Sequence, residues 1–532
     1  MKLVKRVFMV DGKPFYPIGG QSRNSSGYND KESETAFKAI KLLHGNTLQI
    51  PVYWDQIEPE EGKFDFTAVD ALLASARQNG VKLIILWFAT WKNGNMDYAP
   101  AWVKTDKQRF RRVISSAGKD IWVLSSHCQA NLKADQKAFV TLCKHLKAKD
   151  SAEKTVIALQ IENELGILGS DRDYGPEAQA TFDRAVPLKL LTAMKTAGKG
   201  RVYDIWEKAG RKESGTWPQL FNWEAGELMT AWSGAKYVNS IAESGKAVYD
   251  IPMYINVWVM EQGQGAIAGE TYPSGGGVTK VLDIYKWFTP HIDLVGPDNY
   301  QDDSRSFESI CASYSRDDNP FFMPETVGDQ NMFRAIADYN SIAFVFFGVE
   351  HIVGEGGTVR TEYQTVVDNV RCTAAVTPLL LKHQGTGNIH SVIQEDLSIG
   401  QSLDLNGYSG IVQFGKGRTS RAGKDWRHSI GWATLREQTN PNRGRGLVIQ
   451  ASRNEFYLVG TNYRLFLRPE PTLDKVQGRL LAADDGYLVS VDEGHFERNN
   501  EFVADRRRNG DEINSGVWVE PDNGVVRVIT CD

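Results

Sequence analysis

Short apolar runs alternate with amphipathic segments along roughly the first 350 residues, a pattern typical of parallel strands joined by helices. One amphipathic segment places Phe37, Ile40 and Leu43 on one helical face, follows the capping residue Asn29 and ends before Gly45. A second helical segment leads into an almost unbroken apolar run. Runs of this kind predict strands that are buried on both faces.

Eight apolar runs in this part of the chain have the length and composition of strands. They are Pro14–Gly20, Thr47–Trp54, Val81–Phe88, Val156–Asn163, Met253–Met260, Ile292–Asp298, Phe321–Glu325 and Ile342–Gly348. Eight strands with helical spacers favour a (β/α)8 TIM barrel over an open doubly wound sheet. The sequence after the first run also lacks the glycine-rich loop that binds dinucleotides in such open sheets.

The pattern changes from about Ser391, where helical periodicity fades and short β-rich runs alternate with Gly, Asn and Asp. These runs are Tyr408–Phe414, Gly446–Ala451, Phe456–Val459, Tyr463–Leu467, Tyr487–Val491 and Val525–Ile529. They predict an antiparallel β-sandwich. We therefore predict an α/β fold in two domains, a catalytic barrel over residues 1–385 and an accessory β-sandwich over 386–532. The sandwich either packs against the barrel or forms the contact of a homo-oligomer.

Charge and composition exclude several classes of protein. The 532 residues carry 61 Lys and Arg against 66 Asp and Glu, so the net charge of −5 provides no positive field for a nucleic-acid partner. No apolar run approaches the roughly 18 to 20 residues of a membrane span. We expect no membrane partner, and a cytoplasmic protein as written, or a secreted or periplasmic one if a leader has been removed.

Metal and cofactor chemistry lacks a sequence signal. The nine histidines show no ligand spacing, and the five cysteines are scattered without a Cys-x-x-Cys pair. We therefore expect no metal and no cofactor. The 11% aromatic content, with 14 Trp, points instead to a carbohydrate partner, because flat aromatic rings stack on the apolar faces of sugars.

Two carboxylates stand directly after apolar strands. Glu164 follows the fourth predicted strand and Glu325 ends the seventh. Functional side chains of an α/β barrel lie where its strands end, and a charged group at such a place is costly unless it is partnered or used. Glycoside hydrolysis needs such a pair, one carboxylic acid to protonate the leaving oxygen and one carboxylate to attack the anomeric carbon or activate water.

The alternation of side chains along the fourth strand puts Glu162 on the face of Glu164 and turns Asn163 away. Glu162 is thus a candidate for a buried partner. Asn163 reaches the site only if the strand bends at its end, as strands often do beside active sites.

The segment Gln160–Gly166 resembles the acid/base segment of glycoside hydrolase family 35, the β-galactosidases. Val52–Trp54 with Glu58-Pro59, Gly62 and Phe64–Phe66 resembles the second-strand signature of that family, and Pro100–Val103 its segment after the third strand. The region from Ser391 resembles the C-terminal β-rich domain of one bacterial branch.

The resemblance implies a retaining mechanism with Glu164 as general acid/base and Glu325 as nucleophile. Asn163 would bind the sugar 2-hydroxyl, and Tyr300 is similar to the tyrosine that orients the nucleophile. Pro51 stands where the family carries a sugar-contacting Tyr, and Ala89–Asn93 replaces its Cys-Ala-Glu cluster. Further candidates for substrate contacts, all at strand ends, are Asn24, Trp91, Asn93 and Trp258.

The leading hypothesis is a retaining exo-β-glycosidase, a β-galactosidase that acts on terminal β-D-galactosides of oligosaccharides or plant-type glycans. Two alternatives stay open at this stage. The same mechanism could serve a β-glucoside, β-mannoside or β-arabinopyranoside, or the chain could bind carbohydrate without turnover.

Overall fold

The computed structural model describes residues 7–261, 265–301, 303–395, 398–415, 443–469, 487–513 and 516–531. Eight parallel strands form its first large sheet: β1 (Ile18–Gln21), β2 (Thr47–Tyr53), β3 (Lys82–Lys92), β4 (Val156–Asn163), β5 (Met253–Trp258), β6 (Leu294–Asn299), β7 (Glu325–Thr326) and β8 (Phe344–Phe347). Their order is β7-β6-β5-β4-β3-β2-β1-β8. A parallel bridge between Met323 and Phe344 joins the two edges, so the sheet is a nearly closed barrel.

The eight predicted strands are confirmed, although their bounds differ from those predicted, most clearly in the first and the seventh. The first predicted strand is divided, because Lys13–Phe15 pairs with Phe8–Val10 as an antiparallel hairpin and the barrel strand starts only at Ile18. The seventh is reduced to Glu325–Thr326. Proline cannot donate a ladder hydrogen bond, and Pro17 and Pro324 directly precede these two strands.

Helices connect the barrel strands and cover the sheet. They are α1 (Asp30–Leu42), α2 (Trp54–Ile57), α3 (Thr67–Asn79), α4 (Ala101–Thr105), α5 (Gln129–Asp150), α6 (Pro176–Phe182), α7 (Leu188–Ala197), α8 (Arg201–Lys208), α9 (Trp217–Phe221), α10 (Ala225–Val248), α11 (Leu282–Phe288), α12 (Ser304–Tyr314), α13 (Asn331–Ala337), α14 (Gln364–Ala375) and α15 (Thr377–His383). The Asn29 side chain caps α1 by accepting from the Glu32 amide. Within the described ranges, none of the helices combines the length and apolar character needed to cross a bilayer.

The C-terminal part is antiparallel and β-rich, as predicted. Its strands are β9 (Ile389–Ile393), β10 (Gly400–Leu405), β11 (Tyr408–Phe414), β12 (Arg445–Ser452), β13 (Glu455–Thr461), β14 (Tyr463–Pro469), β15 (Tyr487–Phe496), β16 (Phe502–Arg508), β17 (Val517–Val519) and β18 (Val525–Cys531). One sheet has the order β9-β12-β13-β18-β15-β16 and the other β10-β11-β14-β17. Side chains from both sheets, among them Val412, Leu465, Leu458 and Val528, form one buried cluster between them.

This sandwich contacts the barrel through polar side chains. The buried Arg445 donates from Nε to Asn369 Oδ1 on α14 at 2.6 Å, and Ser391 donates to Asp338 at the end of α13 at 2.8 Å. The division at residue 385 stays a prediction.

Candidate active site

The ends of β4, β6 and β7 bring three carboxyl groups together. One carboxyl oxygen from each of Glu164, Asp298 and Glu325 lies within 4.8 Å of the corresponding oxygens of the other two. Asp298 is fully buried, whereas Glu164 and Glu325 keep 8% and 5% of their surface exposed. The cluster is therefore largely removed from water, and two of its members still reach the barrel mouth.

The end of β4 departs from regular alternation, and this places both Asn163 and Glu164 at the site. Glu162 and Glu164 have left-handed backbone angles, with φ of 60° and 46°. The register with β3 also shifts here, because Trp87 pairs with Ile161 but Lys92 pairs with Asn163. The bend that Asn163 requires is thus present, and its Nδ2 lies 3.3 Å from Glu325 Oε1.

Three donors surround the Glu325 carboxyl group. Gln21, the last residue of β1, donates to Oε1 at 2.8 Å, and the Tyr300 hydroxyl donates to Oε2 at 2.9 Å. Asn163 is the third. Donors on both oxygens fix the orientation of the carboxylate and stabilise its charge in a site that excludes most water.

Asn256 on β5 links Glu164 to Asp298. Its Oδ1 accepts the Glu164 backbone N–H at 2.9 Å, and its Nδ2 donates to Asp298 Oδ2 at 2.7 Å. The carboxyl groups of Asp298 and Glu164 also hydrogen-bond each other. Asparagine provides one acceptor and two donors, so a single side chain orients both acids.

The pKa values of both acids are raised. Burial, and then the negative charge of Glu325, raise the pKa of Glu164 to about 7. Lys92 and the hydrogen bond from Asp298 oppose this shift. Burial and the charges of Glu325 and Glu164 hold the pKa of Asp298 well above its usual range. Burial between two other carboxyl groups therefore favours the protonated form of Asp298, and Glu164, with its pKa of about 7, can both hold and release a proton near neutral pH.

Lys92 supplies positive charge at the edge of the cluster. Its ammonium donates to Asn163 Oδ1 at 2.8 Å and to Asn93 Oδ1 at 2.6 Å. The contact with the Asn163 oxygen leaves the amide nitrogen of Asn163 directed at Glu325. Asn93 is thus linked to Glu325 through Lys92 and Asn163.

Two further predicted residues lie at strand ends with free polar atoms. Trp258 ends β5 opposite Asp298, half-buried, and among the described residues its indole N–H has no partner. Asn24 follows β1, and its backbone oxygen accepts from the Tyr53 hydroxyl at 2.7 Å. Its Oδ1 likewise finds no donor in the described part of the chain.

The structure corrects the prediction that Trp91 contacts the substrate. Only 2% of its surface is exposed, and its ring packs edge-on against Tyr237 with the centroids 4.8 Å apart. The register shift in β3 turns this ring into the core between β3 and α10, where it offers no face for a sugar. Its backbone N–H instead donates to Glu162 at 2.7 Å.

The sequence analysis missed Asp298, Asn256, Gln21 and Lys92. Asp298 and Gln21 lie at the ends of β6 and β1, so the strand-end rule that selected Glu164 would have found both. Gln21 was missed because the predicted strand ended one residue early. Asn256 lies inside a strand and has no sequence signal of its own.

The spacing of the three carboxyl groups would also suit a cation. The surrounding donors do not favour one, because Asn256 already donates a hydrogen bond to the Asp298 carboxyl group. Both oxygens of Glu325 already accept hydrogen bonds. We therefore assign the cluster to proton chemistry.

The fold and the site together define a class of protein. It is a nearly closed (β/α)8 barrel in which the strand ends place a carboxylic acid next to a carboxylate. Such a pair can protonate a leaving oxygen and attack the carbon beside it. Residues 26–208 match the family model described as Beta-galactosidase (Glyco_hydro_42), and residues 371–520 match that of a domain of unknown function, DUF5597.

Known proteins resemble parts of the chain. A curated β-galactosidase of Xanthomonas manihotis is 28% identical over 189 residues, which are 34% of this chain and 28% of that protein. The β-galactosidase structure from Rahnella sp. R3 is 15% identical to this chain, with a TM-score of 0.49. The match covers 74% of this chain and 59% of the Rahnella chain. That from Bacillus circulans sp. alkalophilus is 14% identical with a TM-score of 0.46, covering 70% and 57%. The chain spans less than two thirds of the length of these relatives.

Residues 26–208 resemble β-galactosidase-like glycoside hydrolases, but the assignment to family 35 is not supported, since a different β-galactosidase model matches. The physical reason lies in the motifs. The Asn-Glu pair at the end of the fourth strand brings an amide and a carboxylic acid to the site, and the reaction can use these groups whatever the family, so the pair indicates the reaction better than the family.

Proposed function

We propose that the chain is a retaining exo-β-glycosidase that hydrolyses terminal β-D-galactosides of oligosaccharides or plant-type glycans. The observation that carries the proposal is the separation of the Glu164 and Glu325 oxygens, within 4.8 Å. Retaining enzymes hold their two carboxyl groups about 5 to 5.5 Å apart, whereas inverting enzymes need about 6.5 to 9.5 Å to admit a water molecule.

In the first step the Glu325 carboxylate attacks the anomeric carbon while Glu164 gives its proton to the glycosidic oxygen. The bond to the leaving group breaks with its electron pair, and a glycosyl ester forms on Glu325. The ester removes the negative charge that helps to raise the pKa of Glu164. Glu164 therefore stays ionised more readily and accepts a proton from the water that cleaves the ester.

The neighbours of the pair have supporting roles. Tyr300 and Gln21 orient the nucleophile through opposite oxygens. Asn163 faces the nucleophile, and Lys92 fixes its amide. In this proposal Asn163 binds the sugar 2-hydroxyl, and Asn93, Asn24 and Trp258 provide polar atoms for other hydroxyls.

Galactose as the glycone rests on the β-galactosidase family match over residues 26–208 and on the relative from Xanthomonas manihotis. A panel of aryl β-glycosides tests it, with the β-galactoside expected to give the highest kcat/KM. A higher value for the β-glucoside, β-mannoside or β-arabinopyranoside would correct the glycone but keep the mechanism.

The catalytic assignment is tested with Glu325→Gln, which keeps the size of the side chain but removes its nucleophilic charge. We expect a loss of at least about 10⁴-fold in kcat, since covalent catalysis is abolished. Glu34→Gln on the exposed face of α1 is the matched control and should leave kcat unchanged. Wild-type affinity for sugars without turnover of any glycoside would instead favour a binding protein.

A further inference from the structure

The third acid of the cluster, Asp298, is not needed to complete the pair of carboxyl groups that a retaining glycosidase requires. It nevertheless lies at the centre of the site, fully buried at the end of β6, within 4.8 Å of both Glu164 and Glu325. A buried carboxyl group between two others is costly unless it is neutral or partnered. Its contacts therefore require an explanation.

Two contacts of Asp298 bear on its proton. Asn256 Nδ2 donates to Oδ2 at 2.7 Å, so this oxygen is an acceptor. A carboxyl oxygen of Asp298 also lies within 4.8 Å of one of Glu164, and two buried carboxylates this close repel each other unless a proton is held between them. A neutral carboxylic acid has one acceptor and one donor, which matches this pattern, whereas an ionised carboxylate has acceptors only.

We propose that Asp298 is a positioning residue that stays protonated and donates a hydrogen bond to Glu164, stabilising the carboxylate that Glu164 becomes when it gives up its proton. This inference rests on the proposed function, since it concerns the proton of the acid/base residue. Asn256 completes the arrangement, because it holds Asp298 by its side-chain nitrogen and the Glu164 backbone by its oxygen.

Several titratable groups face Asp298 and influence whether its carboxyl group is protonated. They are Glu164 at the end of β4, Glu325 on β7, Lys92 on β3, Tyr254 on β5, Tyr300 after β6 and Tyr314 on α12. The two glutamates favour the neutral form of Asp298, and Lys92 opposes them. Burial adds to the effect of the glutamates, so the pKa of Asp298 lies well above its ordinary value.

Two substitutions separate a neutral donor from an anion. Asp298→Asn keeps one acceptor for Asn256 and one donor for Glu164. We therefore expect kcat within about fivefold of wild type, and an unchanged alkaline limb in the pH profile of kcat/KM. Asp298→Leu keeps the shape but removes the donor, so Glu164 holds its proton more tightly. We expect a loss of about 10- to 100-fold in kcat, and an alkaline limb about one pH unit higher.

Other roles for Asp298 predict a different shift of the alkaline limb. If Asp298 were an anion, both variants would lower the pKa of Glu164 and move the alkaline limb to lower pH. If it were merely structural, activity would fall without any shift of the limb. Either result overturns the proposal. Asp338→Asn is the matched control, since burial also raises the pKa of Asp338 but its carboxyl group contacts Ser391 at the sandwich; its profile should match wild type.

If Asp298→Leu does not fold, Asn256→Ala tests the same step, because it removes the donor that holds Asp298. It should move the alkaline limb upward by less than one pH unit, and a downward shift would contradict the proposal.

Turnover by the wild-type protein separates the glycosidase hypothesis from the hypothesis about Asp298. An inactive wild type would contradict the glycosidase, whereas an active wild type with a downward shift in the variants would contradict only the role of Asp298.

Discussion

Two residues with left-handed backbone angles, Glu162 and Glu164, determine the geometry of the site at the residue scale. Their φ values let β4 present Asn163 and Glu164 to the barrel mouth in succession, which a regular strand cannot do. Such conformations cost about 1 to 3 kcal/mol each for residues other than glycine. The strand-end rule identified Glu164 and Glu325, but the sequence has no signal for this strain.

The pKa of Glu164 leads to the first prediction. Because the group must be protonated to act as an acid, kcat/KM should fall as the pH rises through about 7. The charge of Glu325 contributes to the raised pKa, so Glu325→Gln should lower it. Titration of Glu164 by carbon-13 NMR in both proteins checks this, and an unchanged pKa in the variant would show that the two groups are not coupled.

Tyr300 gives a second prediction at this scale. Its hydroxyl donates to Glu325 Oε2 at 2.9 Å, and hydrogen bonds to charged groups contribute about 1.5 to 3 kcal/mol. Tyr300→Phe should therefore reduce kcat by about 10- to 100-fold. Tyr285→Phe, which loses a bond to the Gly275 carbonyl, is the control. Equal effects of the two substitutions on kcat would argue against a specific role in orienting the nucleophile.

At the scale of elements, a second buried acid pair holds β4 against α5. Asp135 on α5 accepts from Trp87 Nε1 at 2.9 Å and from Thr90 at 2.6 Å, and it lies against Glu162. Burial and the charge of Asp135 hold the pKa of Glu162 well above its usual range. The contact between Asp135 and Glu162 therefore supports the bend that carries Asn163 and Glu164.

This pair makes stability depend on pH. A carboxyl group whose pKa is raised by folding contributes stability that is fully present below its unfolded-state pKa and is lost as the pH rises from there through the folded-state value, about 1.4 kcal/mol for each unit of pKa shift. Glu162→Gln remains neutral, so its unfolding free energy should fall less than that of wild type as the pH rises above 4.5, the ordinary pKa of a glutamate. Urea unfolding checks this, with Glu34→Gln as control; equal losses in Glu162→Gln and wild type would contradict it.

The strands of the barrel follow from the sequence because fully buried parallel strands are continuous apolar runs. The position of the third acid, Asp298, follows from the same strand-end rule, but its role does not follow from the sequence. Asp298 stands in the same position relative to β6 as Glu325 does to β7, but its role depends on Asn256, a strand residue with no pattern of its own. The prediction that Trp91 contacts the substrate misses the mark for a related reason, since the register shift in β3 changes which side chains face the site.

At the scale of the whole molecule, a buried cation joins the sandwich to the barrel. Arg445 on β12 donates to Asn369 on α14 and to the Arg443 carbonyl, and burial lowers its pKa to about 10. The sequence contains no signal for this contact, because Arg445 lies in a β-rich run between glycines. We infer that the sandwich stabilises the barrel from this side.

Arg445→Met should test that inference. Removing one partner of a buried polar contact costs about 1 to 3 kcal/mol, so the unfolding free energy should fall by that amount. Activity at 25 °C should stay within about twofold, since Asn369 and Arg443, to which Arg445 donates, are not members of the carboxyl cluster. Arg527→Ala, a half-exposed pair with Glu455 inside the sandwich, should cost under about 1 kcal/mol. Equal costs would contradict a specific contribution of Arg445.

The stereochemistry of hydrolysis tests the account most directly, because it reports the spacing of Glu164 and Glu325 during the reaction. Proton NMR of an aryl β-galactoside, recorded within the first minutes of turnover, distinguishes the anomers of the released sugar before they interconvert. The structure predicts that the β-anomer forms first, through a glycosyl ester on Glu325. Initial release of the α-anomer would contradict the double displacement and the roles given to both glutamates.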